Sequence, residues 1–434
     1  MSKEYKSRSE RRNAENARDE AYEDTLAATN ASTTKPKQKR KVWRWVLIVL
    51  AILALIVAGV GGVLYAKSKN AADNSYKAAD MKKARDVDQV LKEGKPFSIL
   101  LMGTDTGELG RDYKGRTDSM MVVTINPKDR KTTIMSIPRD TLVSVPGYEN
   151  QFPQKINAAY ELGSSATSIK TVQDWLNVPI DYYALVNMGG LEKVVNQLDG
   201  ITVKSPLTFE FNPDTAHADP GNLYSFKEGS STFTHTGEDG KTETFDKMDG
   251  KAALAFSRMR YADPKGDYGR QERQRMVMEG IIEKIKKDPT RVLSSGFIEE
   301  VGKSTQTDLT FGNVMTIGRK YLPAASEIKS DHIQGDGYML DSGSTEVVYR
   351  DEQQRATDVL RKSLGLDAKT TGNLYGGEVS DDVLAANGVP NLTESSEKQT
   401  NSAMIEQSDQ GDDESATDES ATDESATDDL YGGE

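Results

Sequence analysis

The apolar positions of this chain fall into one long uninterrupted run and a series of short ones. Residues 42–66 read VWRWVLIVLAILALIVAGVGGVLYA and carry no charge after Arg44. The apolar stretch 46–64 would span about 28 Å as a helix at ~1.5 Å per residue, which is one bilayer crossing. Trp43, Trp45 and Tyr65 flank it where interfacial aromatics belong. Further along, 97–102 and 119–125 are near-continuous apolar runs of strand length, the pattern of strands covered on both faces. The run 132–137 follows NPKDRK, a turn-rich link that predicts antiparallel pairing. Leu191, Val194, Val195 and Leu198 keep i, i+3, i+4, i+7 spacing, which predicts an amphipathic helix ending at Gly200, with a short strand over 201–204 after it. Helices alternating with apolar strands predict a layered α/β/α domain around a central mixed sheet, preceded by one transmembrane helix.

One further helix, over 268–287, changes the functional picture. At about 100° per residue, Arg270, Arg273 and Gln274 fall on the face of Val277 and Ile281, the side the helix must bury. Arg275 projects the opposite way beside Glu272 and Glu279, where surface pairing accounts for it. Arg258 and Arg260 lie just upstream in SRMRYADPKGDYGRQERQR. A run of charges is ordinarily a solvated face. Guanidinium groups buried at one end of an apolar stripe are costly without an anion, however. The pattern therefore predicts an anion pocket that opens onto an apolar cavity.

Composition sharpens the domain boundaries. The formal net charge is −13, yet eighteen acidic residues lie from Asp367 onward against only Lys369 and Lys398. This stretch holds the whole excess, so the global charge says nothing about the partner of the folded region. The segment also repeats ESATD over 414–428, and LYGGE occurs at both Leu374 and Leu430. Residues 367–434 thus read as an acidic low-complexity tail, and 96–366 as the compact domain. Residues 1–41 are polar and read as a disordered tail, and 67–95 as a helical stalk or accessory helix. Lys35, Lys37, Lys39, Arg40, Lys41 and Arg44 precede the span, whereas Lys67 and Lys69 follow it. The positive-inside bias places the N-terminus in the cytoplasm and the domain outside, as a single-pass protein of the cell membrane. A cleaved signal peptide is the rival, but its apolar core would be shorter and nearer the N-terminus. The chain has no cysteine, which excludes disulfides, thiolate metal sites and a cysteine nucleophile. An external domain without disulfides suits a Gram-positive surface.

After the first apolar strand comes GTDTGELGRDYKGRTDSM, a Gly-rich loop that holds Asp105, Arg116 and Asp118. Loops at strand ends are where α/β folds place ligands. Two aspartates there could hold one hard cation such as Mg²⁺, or could equally be turn and capping residues. Arg116 between them favours a phosphate site. After the third strand, IPRD puts Arg139 and Asp140 at another strand end. His217, His235 and His332 are scattered through polar sequence and read as surface residues. There is no GxSxG, HExxH or P-loop, so hydrolysis run by a histidine is disfavoured. What remains is charge neutralisation: arginines and a divalent cation holding a phosphorylated substrate.

GTD with RTDSMM downstream, then SIPRDT, then ALAFSRMRYADPKGDYGRQERQ, after one apolar span, closely resembles the LytR-CpsA-Psr proteins of bacterial cell envelopes. The resemblance covers roughly 96–287. It implies an Mg²⁺-dependent phosphotransferase that moves a glycopolymer (capsule, exopolysaccharide or wall teichoic acid) from a polyprenyl-pyrophosphate carrier onto a peptidoglycan hydroxyl. In that reading Asp105 and Asp118 hold the metal, and Arg116 and Arg139 touch the phosphates beside it. Arg258, Arg260, Arg270 and Gln274 line the pyrophosphate pocket, with Arg273 a further match and Asp267 a helix cap. Two rivals come from other classes. A membrane-anchored regulatory protein binding nucleic acid would need the arginines on the cytoplasmic side, against the topology, so nucleic acid is not an expected partner. A non-catalytic scaffold for lipid-linked glycan would bind without turnover.

Overall fold

The structure, a computed structural model, describes residues 69–70, 75–104, 115–292, 294–302 and 304–393. The apolar span at 42–66, the polar tail before it, Asp105 and the ESATD repeats lie outside the described residues. No helix among the described residues is long and apolar enough to cross a membrane.

A six-stranded mixed sheet organises the domain. Its order is Thr305–Thr307, Tyr182–Asn187, Phe97–Thr104, Ser119–Asn126, Lys131–Ser136, Glu327–His332. Phe97–Thr104 runs parallel to Tyr182–Asn187 and antiparallel to Ser119–Asn126, which pairs antiparallel with Lys131–Ser136 across the expected turn. Side chains alternate between faces with the period of two that strands impose. Leu100, Met102, Met120, Val122 and Met135 face Ile169, Val172 and Trp175 of the helix Ser165–Leu176 and Leu360 of the helix Arg350–Ser363. Leu101, Met121, Val123 and Ile134 face the other way, towards Met278 and Ile282 of the helix Asp267–Lys287. Both faces are covered, as the near-continuous apolar strands require.

The long arginine helix is itself wedged between two bodies. Opposite the sheet, Val277 and Ile281 join a second core with the helices Met188–Gln197 and Gly250–Arg258. That core is floored by a four-stranded antiparallel sheet in the order Thr242–Phe245, Phe233–Thr236, Leu223–Phe226, Phe209–Phe211. The helix Met188–Gln197 is capped by Asn187, whose side chain accepts from Gly190 N. It gives way at Gly200, where φ is +78°. The strand expected at 201–204 reduces to an isolated bridge between Ile201 and Met248.

The compact body extends past both expected boundaries. Of the two forms expected for 67–95, the described residues 75–95 match the accessory helix, Val87–Glu93 ended by Gly94, with a strap leading into it. Arg85 grips the buried Asp181 through Nε at 2.6 Å and Nη2 at 2.5 Å, and Lys83 pairs with Asp308. Asp181 also accepts from Ser98 N at 2.8 Å, so the strap is tied to the central strand. At the other end, packing continues beyond Leu366. Thr371 meets Thr357 at 2.7 Å, Tyr375 and Leu392 are buried, and Asp381–Ala386 is a short helix. Acidic residues misled the sequence reading there: the charge is real, but Leu374, Tyr375 and Leu392 between the charges find a core.

Candidate anion site above an apolar cavity

The parallel strands Phe97–Thr104 and Tyr182–Asn187 end side by side, and a cavity of about 600 Å³ opens beyond them. Asp118 stands at its polar mouth, held by its own N–H donating to Gly103 O at 2.8 Å. Arg139, just past Pro138 at the end of Lys131–Ser136, donates through Nη1 to Asp118 Oδ1 at 2.6 Å. The next residue, Asp140, has its carbonyl fixed by Glu346 N at 2.9 Å and Thr345 Oγ1 at 3.0 Å. A hairpin over Asp336–Val347 thus sets the height of the Arg139 turn.

Arg258 closes the helix Gly250–Arg258, Arg260 follows it, and Arg270 and Gln274 come from the arginine helix; all four line the cavity. Behind them the walls are apolar: Leu191, Val194, Val277, Met278 and Ile281. Arg270 decides what this arrangement is for. Its side chain is 11% exposed, and Nη2 reaches Asp267 at 2.5 Å, yet Nε and Nη2 are without an aligned hydrogen-bond partner. Distance and alignment disagree here, and alignment governs a hydrogen bond. Burial pushes the Arg270 guanidinium down from its ordinary value; Asp267 and Asp118 counter this, while Arg139 and Arg260 press in the same direction as burial. Asp118 and Asp267 offset part of the repulsion among these guanidinium groups, and the donors they leave unfilled on Arg270 are suited to an anion. Buried Gln274 Oε1 also lacks a hydrogen bond, as does Arg139 Nε, whose nearest carboxylate oxygen is Asp140 Oδ2 at 3.6 Å. Because an amide can exchange its O and N by turning over, Gln274 offers either a donor or an acceptor.

Six of the expected residues therefore meet at one cavity: Asp118, Arg139, Arg258, Arg260, Arg270 and Gln274. Two do not. Arg273 is fully buried and turned into the protein, where it pairs with Asp263 and donates to the carbonyls of Phe256 and Met259. Arg116 points to Glu161 at 3.0 Å and is half-exposed. Arg275 does project away from the cavity, but it is buried against the sheet, donating to Ser136 Oγ at 2.9 Å, and is not a surface residue. Asp267 is the first helical residue and a partner for Arg270; the cap position belongs to Gly266. Sequence reasoning missed Asn187 and Tyr261 at the cavity. Tyr261 directly follows Arg260, is 72% exposed and stacks on His217. An aromatic inside an arginine motif was the signal available.

No group of three or more His, Asp or Glu residues among the described residues could hold a metal by itself. Mg²⁺ commonly takes one or two carboxylates, with substrate oxygens and water completing its shell, so Asp118 at the polar mouth fits as one such carboxylate.

The family model LytR_cpsA_psr matches residues 62–363. The chain is 36% identical over 325 residues to an Enterococcus faecalis protein named polyisoprenyl-teichoic acid–peptidoglycan teichoic acid transferase TagU, covering 75% of this chain and 98% of that one. It is 34% identical to biofilm regulatory protein A of Streptococcus mutans, over 77% of this chain and 82% of that one. Among solved structures, a Streptococcus agalactiae protein matches with a TM-score of 0.56 at 32% identity, covering 68% of this chain and 95% of that one. With the family model matched over 62–363 and a relative 36% identical over 75% of its length, this chain belongs to the LytR-CpsA-Psr family.

Proposed function

We propose that the protein is a transferase of the Gram-positive cell envelope that moves a glycopolymer phosphate from a polyprenyl-pyrophosphate carrier to a peptidoglycan hydroxyl. The observation that carries this reading is Arg270, a buried guanidinium with unfilled donors between an arginine cluster and an apolar cavity. A lipid pyrophosphate presents both halves of that surface at once. Its charged head suits Arg139, Arg258, Arg260 and Arg270, and its hydrocarbon suits the walls behind them. The names of the TagU relatives support teichoic acid as the glycopolymer class. The apolar span at 42–66 would hold the domain at the membrane that carries the donor lipid.

In this reaction the acceptor hydroxyl oxygen bonds to the sugar-linked phosphorus as the bridging P–O bond breaks, and its proton passes to the departing phosphate or to solvent. A phosphodiester forms and polyprenyl phosphate leaves. Charge builds on the departing phosphate, and guanidinium groups fixed at the edge of an apolar cavity stabilise it more strongly than water does. Mg²⁺, bound by Asp118 and the expected Asp105, would neutralise the remaining phosphate charge and orient the pyrophosphate. Arg139, itself paired with Asp118, would register the phosphates against that ion.

Release of polyprenyl phosphate from a glycan-bearing polyprenyl pyrophosphate by the full chain, with and without added Mg²⁺, tests the proposal. Asp118→Ala should lower turnover by about 10²-fold or more. Full activity in that variant would remove the metal assignment, and donor binding without turnover in the native chain would leave a scaffold instead of an enzyme.

A further inference from the structure

The pentapeptide LYGGE occurs at 374–378, which packs on the domain, and again at 430–434. In the packed copy nearly every residue has a physical reason to be what it is. Leu374 joins an apolar cluster with Leu142, Val347 and Leu392. Tyr375 is 6% exposed and meets Phe152 edge-on at 5.8 Å, while its carbonyl accepts from Ser144 N at 2.7 Å. Gly376 has a φ of +79°, which disfavours any side chain. At Gly377 a Cβ would lie 2.9 Å from Ser144 Oγ and 3.1 Å from Ser144 Cβ, a few tenths of an ångström inside ordinary contact, so a side chain there must displace that of Ser144 or bond to it. Glu378 is exposed. Ahead of the motif, Asn373 Oδ1 accepts from Tyr375 N at 3.2 Å, a turn that aspartate also makes, and the second copy has Asp429 there. The correspondence stops one residue earlier. A Cβ on Gly372 would come 1.9 Å from Asp174 O, and the second copy carries Asp428.

We propose that residues 429–434 are a second ligand for the groove formed by Ser144, Phe152 and Trp175, exchanging there with 373–378 of the same chain. Leu392 lies in the same apolar cluster as Tyr375, so the connecting segment sets out from beside the groove. Coil scaling over the 36 residues 393–428 would give a root-mean-square span of roughly 33 Å, and tethering over such a distance gives an effective concentration near the millimolar range. That exceeds what a neighbouring chain supplies at ordinary protein concentrations, which makes the chain's own terminal copy the occupant. Docking would close the acidic ESATD repeats into a loop anchored beside the Arg139 turn, because Leu142 and Ser144 follow that turn directly.

The chain has no cysteine, so a pair of introduced ones reports alone. In the full chain, oxidation of Ser144→Cys/Gly433→Cys is compared with Ser144→Cys/Glu419→Cys, whose second thiol lies in the repeats outside the motif. The first pair should form an intrachain disulfide at least about tenfold faster, as expected of a bound rather than merely tethered segment. Tyr375→Ala, by emptying the groove, should speed it further. Tyr431→Ala, which leaves the packed copy untouched, should bring it down to the rate of the control pair. Equal rates for the two pairs, no response to Tyr431→Ala, or a disulfide that forms only between chains and scales with protein concentration would overturn the proposal.

Discussion

Replacing Arg270 by methionine should separate function from stability, and the same change at Arg273 should do the reverse. Methionine keeps about the length and apolar contacts of the aliphatic stem while deleting the guanidinium. At Arg273 the deletion strands Asp263, which is 9% exposed, and leaves the carbonyls of Phe256 and Met259 without their donor. Breaking a buried pair in this way costs about 3–5 kcal/mol. At Arg270 the native group already carries two buried, unaligned donor nitrogens, each a penalty of ~1–3 kcal/mol that methionine removes. Against this stands the loss of the contact with Asp267, which is 20% exposed and keeps Arg260 at 3.9 Å. The terms nearly cancel, so Arg270→Met should shift unfolding by less than ~1 kcal/mol or stabilise the protein slightly. Its turnover of polyprenyl pyrophosphate should nevertheless fall by about 10²–10³, the loss typical of one donor to developing charge. Urea unfolding of the full chain with product release measured on the same preparations checks both halves. If Arg270→Met unfolds as readily as Arg273→Met, the guanidinium is structural and the anion pocket is refuted.

Gly269→Ala should destabilise by about 3 kcal/mol or more despite the better helix propensity of alanine, because the new Cβ would sit 1.9 Å from Asp263 Oδ2 and push it off Arg273; a urea midpoint equal to the native one would show that the loop yields freely. Burial raises the Glu346 carboxyl above its ordinary 4.5 while the hydroxyl of Tyr268 lowers it. A carboxyl that holds its proton more tightly folded than unfolded contributes stability fully present below about pH 4.5 and lost as pH rises through the raised value. Glu346→Gln should therefore gain on the native protein across that window, and parallel stability curves would refute it. Leu191→Trp, on the apolar wall, should raise KM for long-chain donors by about tenfold and leave short-chain donors nearly unchanged; equal effects on both would place the hydrocarbon elsewhere.

The strands and the Met188–Gln197 helix were legible because their apolar spacing is a local property, and the structure covers both faces of each central strand. The arginine helix was legible only in part, for a reason that lies in its surroundings. A period of 3.6 distinguishes one buried side from one wet side, but this helix is buried on two: Val277 and Ile281 enter one core, Ile282 packs on another, and Met278 touches both. Arg275, on the side assigned to solvent, therefore meets Ser136, a residue 139 positions away that no helical wheel contains. Arg273 shares the predicted face with Arg270, yet Gly269 lets the Asp263 loop close over it and supply a carboxylate. Two arginines three residues apart thus have opposite meanings. The protein's own carbonyls and carboxylate satisfy one, whereas the other keeps unfilled donors at the edge of a cavity. Since burial is common to both, burial alone cannot mark a binding site; the unfilled donor does, and it becomes visible only when every partner within reach has a position.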